Sequence, residues 1–229
     1  MAETRGVIGE IGRRNSPFNV VVKRAVIVLF GMLAALVAAL ATFGWYSDLS
    51  VRADHREQVR GLSGDELIPN SVGSVTHAVT IRRPPHEVWP WLAQMGSGRA
   101  GWYAYDFIDN GGQPSADRIL PEFQNVGVST VFPALPEAKD VFVAVRCEPE
   151  YALVLAWRSP NGTYLTTWAF VLEQPAPNRT RLIVRGRAAP DYSPYGLPLW
   201  FTKLTAPWVH AIMERKQLRG IQRRAEAAP

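Results

Sequence analysis

Residues 163–187 read TYLTTWAFVLEQPAPNRTRLIVRGR, and two segments of period two lie within them. Tyr164, Thr166, Trp168, Phe170 and Leu172 share one side of the first segment. Thr180, Leu182 and Val184 share one side of the second. Pro175 to Asn178 turn the chain between them, because proline and asparagine accept the conformations a turn needs. This alternation describes antiparallel strands with one face on a core and the other in water. The far side of the second strand carries Arg179, Arg181, Arg185 and Arg187 with Ile183. A charge row on a strand reads as a solvated outer face that blunts edge association, in preference to a basic ligand site.

Working upstream, Ser159-Pro160-Asn161-Gly162 is hairpin chemistry. Before it, Leu153, Leu155 and Trp157 alternate with Val154 and Ala156, and Val141, Val143, Val145 and Cys147 alternate with Phe142, Ala144 and Arg146. A further strand is expected over 75–81, where His77, Val79 and Ile81 alternate with Ala78 and Thr80. A helix starts at Pro84-Pro85, since proline suits a first helical turn. Its apolar positions are Val88, Leu92 and Met95 with Trp89 and Trp91 beside them, and Pro90 is expected to bend it. Residues 96–124 set glycines on either side of an aromatic cluster, with short helices expected over 103–109 and 117–123. Downstream, 190–198 break the pattern before a long helical segment divided at Pro207. Trp200, Phe201 and Leu204 precede that proline, and Trp208, Val209, Ile212 and Met213 follow it at helical spacing. Arg215, Lys216, Arg219, Arg223 and Arg224 then suit a helix end, whose dipole favours cations. Strand, helices, a run of antiparallel strands and a long last helix make an α+β domain with its helices on one face of a curved sheet.

The same order resembles the SRPBCC superfamily of helix-grip proteins, which includes START lipid-transfer domains, birch-pollen allergen relatives and polyketide cyclases. The residues that carry the resemblance are Thr76-His77-Ala78-Val79-Thr80-Ile81, Pro84-Pro85-His86-Glu87-Val88-Trp89-Pro90-Trp91-Leu92, Gly101-Trp102-Tyr103-Ala104-Tyr105-Asp106, and the closing Met213-Glu214-Arg215 and Arg224-Ala225-Glu226. They look like an uncharacterised bacterial subgroup, and the resemblance covers residues 63–227. Val128 follows Gly127 where that subgroup is expected to carry an acidic residue. The resemblance implies a helix-grip fold, a curved antiparallel sheet wrapped around a long C-terminal helix enclosing an apolar cavity, and hence a hydrophobic small-molecule or lipid ligand. Trp157, Tyr164, Trp168, Phe170, Trp208 and Ile212 would line that cavity, joined by Trp102 and Tyr103. The same side chains could instead pack at crystal-like density and leave nothing to bind.

Residues 25–46, AVIVLFGMLAALVAALATFGWY, carry no charged side chain. Some 22 residues at about 1.5 Å each reach roughly 33 Å, enough to cross a hydrocarbon core of about 30 Å. Trp45 and Tyr46 fall where the helix should leave the bilayer. Ala39-Leu40-Ala41 resembles a cleavage site, but a leader of about 24 residues and an apolar run of this length favour an uncleaved anchor. The expected organisation is a basic tail over 1–24, a transmembrane helix over 25–47, a stalk or lead-in over 48–72 and the helix-grip domain over 73–229. Arg5, Arg13, Arg14, Lys23 and Arg24 precede the run, against Arg52, Arg56 and Arg60 after it. That bias expects a single-pass protein of the cell membrane with its amino terminus cytoplasmic and its domain extracytoplasmic. Gly31, Ala35 and Ala39 have small-xxx-small spacing, which expects at most a weak homodimer through the membrane helix.

The formal charge is +5 and the isoelectric point near 9.6. Much of the excess flanks the apolar run or closes the chain, where anionic headgroups account for it. No helix-turn-helix, zinc finger or aromatic RNA-binding signature accompanies it, so nucleic acid is not an expected partner. The single Cys147 cannot form an internal disulfide.

No GxSxG, GxxxxGK[ST] or HExxH motif is present. The four histidines, His55, His77, His86 and His210, are too scattered to suggest a metal site, and no cofactor is expected. The candidate chemistry lies in 102–110, with Tyr103, Tyr105 and Asp106 as donor and base if a dry cavity shifts them. Packing aromatics with a capping aspartate are the preferred reading of that segment. Three functions stay open: a membrane-tethered binding domain for a hydrophobic ligand, an enzyme of cyclase or hydratase type using those three residues, or an interaction domain with a filled core.

Overall fold

The computed structural model describes residues 28–29, 31–32, 34–35, 38, 51–136, 141–193 and 197–227. Two units divide at Ser47 and Asp48. Of the expected membrane helix, most residues lie outside the described ones. Val28, Leu29, Gly31, Met32, Ala34, Ala35 and Ala38 are helical and exposed. Among the described residues no helix is long and apolar enough to cross a membrane.

The second unit holds α1 (His55–Val59), β1 (Gly73–Ile81), α2 (Pro85–Ala93), α3 (Asp106–Asp109), β2 (Val131–Pro133), β3 (Val141–Glu148), β4 (Ala152–Arg158), β5 (Tyr164–Ala176), β6 (Arg179–Ala188) and α4 (Leu199–Ala227). Among the described residues six strands form one antiparallel sheet in the order β1-β6-β5-β4-β3-β2. With α4 across its inner face, this is the helix-grip arrangement. The alternating segments become strands because their inward residues, Leu153, Leu155, Phe170, Leu172, Leu182 and Val184, are almost wholly removed from water. α2 starts with Pro85 and runs through Pro90 to bury Val88, Trp89, Trp91 and Leu92. The helix expected over 103–109 shortens to α3, and the one over 117–123 to a 3-10 turn at Pro121–Phe123. α4 continues through Pro207 without a break.

Residues 51–72, expected as a stalk, instead pack on the sheet's outer face, and of the arginine row Arg181, Arg185 and Arg187 are covered there while Arg179 stays exposed. Asp54 and Glu57 close a capping box on α1, each side chain accepting from the other's backbone N–H at 2.7 Å. Glu57 also accepts from Arg181 Nε and Nη2 at 2.7 and 2.8 Å. That pairing leads the effects that hold its carboxyl below the usual range, with burial opposing. Arg185, 3% exposed, donates to Thr76 Oγ1, to the carbonyls of Glu57, Gln58 and Arg60, and to Asp65 Oδ2 at 2.6 Å. Beneath this strap a small second core joins Ala53 and Leu62 to Ala78, Val171 and Ile183. The physical reason is valence: a guanidinium has five donors, and a segment rich in free carbonyls and carboxylates can satisfy them better than it can wrap an apolar face.

Candidate functional site

Inner-face burial is graded along the sheet. In register, His77, Val184, Phe170 and Leu153 form one row across β1, β6, β5 and β4, all buried. One step on, Val75, Gly186 and Trp168 are half-buried beside buried Leu155. The next row holds half-buried Trp157, Thr166 and Ala188. The deep end, toward Ile81, Leu172 and Leu182, is filled by apolar side chains and by Leu218 and Ile221 of α4. Toward the opposite end the side chains on this face are only half-buried.

A polar cluster stands at the step between the two. Glu214 of α4 is fully buried. Its Oε2 is hydrogen-bonded to His77 Nδ1, and its Oε1 accepts from Trp168 Nε1 at 2.9 Å. His210, one turn earlier, brings Nε2 to 3.3 Å from Oε1. Burial works against charge on Glu214, but the His210 charge and the bonds from His210 and His77 outweigh it and hold its pKa down at about 2. Burial likewise works against charge on His210, yet the neighbouring carboxylate raises its pKa above the usual imidazole value. The imidazole is about a third exposed (32%). Its Nδ1 has no hydrogen bond among the described residues, while Nε2 is buried against the carboxylate. This is a histidine oriented by a carboxylate, with its second nitrogen available to something else. Gly186 makes the arrangement fit, since a Cβ there would lie 2.7 Å from His210 Nε2. Gln217, also on the buried face of α4, leaves Oε1 buried without a partner and donates only weakly, to Met95 Sδ at 3.7 Å.

Aromatic rings wall this cluster. Trp168 stacks on Trp102 with centroids 5.3 Å apart, and also meets Phe142, Phe170 and His210. Of the expected lining residues, Trp102, Trp168 and Phe170 come together here, although Phe170 is wholly buried in the filled end. Trp157 and Tyr164 stand half-buried toward the open end, Trp157 edge-on to Tyr192 and Tyr164 beneath Arg158. Trp208 and Ile212 do not close the site: they are 50% and 41% exposed. At 3.6 residues per turn, a side chain two positions from Glu214 points to roughly the opposite side of the helix. α4 therefore offers the sheet His210, Glu214, Gln217, Leu218 and Ile221, and turns Ile212 outward.

Tyr103, Tyr105 and Asp106 are not brought to one point. The Tyr103 hydroxyl donates to the Trp91 carbonyl and accepts from Gln94 Nε2, and burial pushes its pKa up against the bond from Gln94 and the charges of Arg224 and Arg99. Its positive φ, 62°, seats the loop against Gly220 of α4, where a Cβ would fall 2.2 Å from the Tyr103 carbonyl. Tyr105 is 40% exposed, near Lys216. Asp106 accepts from Ser115 Oγ. These contacts fix a loop and leave none of the three hydroxyl or carboxyl groups facing the cluster.

The residues missed from sequence are His77, His210 and Glu214. Two signals pointed to them: a His and a Glu four apart on one helix, and a glycine interrupting an otherwise regular strand. Two surface clefts, of about 540 Å3 beside Pro84, Tyr151 and Gln174 and about 430 Å3 beside Trp91, Arg118 and Arg224, include none of the cluster. Among the described residues no group of acidic, histidine or cysteine side chains could hold a metal ion.

No family profile matches the sequence. No curated protein matches it. Among solved structures the chain is similar to a protein of Mesorhizobium loti, at 15% identity over 69% of this chain and 99% of that one, with a TM-score of 0.42. It is similar to a conserved protein of unknown function from Enterococcus faecalis, at 14% identity over 83% and 86%, TM-score 0.42. It is also similar to the Zhui aromatase/cyclase from Streptomyces sp. R1128, at 16% identity over 67% and 93%, TM-score 0.36.

Proposed function

We propose that the domain binds an apolar small molecule or lipid at the open end of the inner sheet face, with a carbonyl or carboxylate oxygen of that molecule on His210. Residues 25–46 tether it to the membrane, the amino terminus in the cytoplasm and the domain outside. The observation that carries the ligand reading is His210, whose Nε2 lies buried 3.3 Å from Glu214 Oε1 while Nδ1 has no hydrogen bond among the described residues, beside the half-buried Trp168. A protonated imidazole there donates to an oxygen, and the half-buried Trp168, Phe142 and Trp157 supply apolar surface for the rest of the ligand. The deep end is filled, so the ligand sits shallowly. The tether is supported by the uncharged length of 25–46 and by the basic residues before it.

Equilibrium dialysis of the full chain in lipid nanodiscs, with empty nanodiscs as reference, tests the ligand site with naphthoic acid and naphthalene as probes. Both should bind. His210→Gln should weaken naphthoic acid by about tenfold or more, the range of a hydrogen bond to a charged group, and naphthalene much less. Gly186→Ala should act in the same direction, since its methyl group displaces His210 Nε2 from its place beside Glu214. No binding above empty nanodiscs, or equal loss for both probes, would overturn the reading.

A further inference from the structure

The first half of α4 buries almost nothing. Between Leu199 and Met213 only Thr202 is buried. Trp200, Leu204, Trp208 and Ile212 step by four residues along it and are 69%, 63%, 50% and 41% exposed. One further step reaches Lys216, whose ammonium lies 5.9 Å from the Tyr105 ring, and beyond Tyr105 the α3 residues Phe107 and Ile108 are 89% and 59% exposed. Two separate elements thus expose aromatic and aliphatic side chains around one basic side chain. Arg219 and Arg223 continue the exposed cations on α4. No carboxylate of α4 faces outward to offset them: Glu214 is fully buried and Glu226 is held by Arg82. In α3, Asp109 is buried and Asp106 accepts from Ser115.

We infer that this face docks on an anionic lipid bilayer, with Trp200, Leu204 and Phe107 in the headgroup layer and Lys216, Arg219 and Arg223 on lipid phosphates. Tryptophan and phenylalanine beside lysine and arginine are the chemistry of an interfacial helix, and the exposed Asp117, which shares a cleft with Arg223 and Arg224, offsets only the far basic end. A second copy fits less well. Pairing the helices would set the basic half against itself or against the apolar half. The inference does not depend on the ligand site. It gains from the tether reading, which brings the domain to a bilayer.

The test uses the full chain carrying Trp45→Phe, so that the tryptophan of the apolar run is silent. Vesicles of phosphatidylcholine, with or without phosphatidylglycerol, carry brominated acyl chains that quench inserted indoles. Tryptophan quenching should appear with phosphatidylglycerol and weaken in high salt. Trp200→Phe with Trp208→Phe should cut it at least about two-fold, because interfacial indoles are the quenched ones. Lys216→Gln with Arg223→Gln should reduce it without changing the urea unfolding midpoint. Quenching that is unchanged by both pairs of substitutions would overturn the docking face, as would crosslinking into dimers that Trp200→Glu abolishes while quenching persists. Co-flotation with vesicles reports the tether separately. A chain that does not float refutes the tether, and quenching on added vesicles then still decides the docking.

Discussion

Glu214 concentrates the electrostatics of the domain in one side chain. Its ordinary pKa is 4.5 and the fold lowers it to about 2. The stability it contributes is therefore complete above about 4.5 and is lost as pH falls through about 2. His210 has the opposite sign. Its pKa is raised above 6.5, so its contribution is complete below that value and is lost as pH rises through the raised one. The pair should stabilise most between about pH 4.5 and 6.5. Urea unfolding of wild type and Glu214→Gln across pH measures this, and the difference should peak in that window at about 2–3 kcal/mol. That magnitude is the lower part of the range for breaking a buried pair, reduced because His210 is partly exposed and can shed its proton. A difference that stays flat between acid and neutral pH would mean that the two groups do not titrate against each other. His77 and Trp168 then matter as donors that hold the carboxylate in place, so that His210 presents a defined nitrogen to the open side.

At the scale of elements, the strap over 51–72 and the outer face of β6 depend on one another. Arg185→Met removes five hydrogen bonds and leaves Asp65 and three carbonyls facing an apolar group. It should cost on the order of 3 kcal/mol in urea unfolding, with Arg185→Lys recovering only part because an ammonium has three donors. A loss below about 1 kcal/mol would mean that Arg181 and the apolar contacts of Leu62 and Ile183 hold the strap without Arg185. The strands were legible in the sequence because alternation reports one buried face directly: the segment expected over 163–173 is β5, Tyr164–Ala176, and the last strand is Arg179–Ala188. β2 was not, since Val131–Pro133 is too short to show a period. The arginine row was misread because periodicity shows that a face is polar and says nothing of what covers it. α4 was misread for the converse reason. Trp208 and Ile212 form an apolar stripe at helical spacing, whereas the buried side is led by Glu214 and Gln217, polar residues that only tertiary contact brings inside. At the candidate site the expected Trp102, Trp168 and Phe170 stand together, and the charged centre beside them was not legible.

The whole domain has a packed end and an open end, and α4 spans both. Its second half buries Glu214, Gln217, Leu218, Ile221 and Ala225 against the sheet, while its first half buries only Thr202. Helical hydrogen bonds alone are marginal in water, and most helix stability in proteins comes from packing of a buried face. The two halves of one continuous helix should therefore open with different free energies. Hydrogen exchange of the full chain in detergent should show amides over 215–225 protected to nearly the level of β5 and β6, and amides over 203–209 exchanging on the order of 100-fold faster through local opening. Moving the chain into nanodiscs containing phosphatidylglycerol should slow the first half selectively, because docking buries an apolar stripe whose members are 41–69% exposed. Binding of naphthoic acid should slow the residues around His210 and leave Trp200 and its neighbours unchanged, since Trp200 lies about 15 Å along the helix from His210. Equal protection along α4 in detergent would show that its first half is held by contacts stronger than its exposure allows, and the division of the helix into a grip and a docking half would then fail.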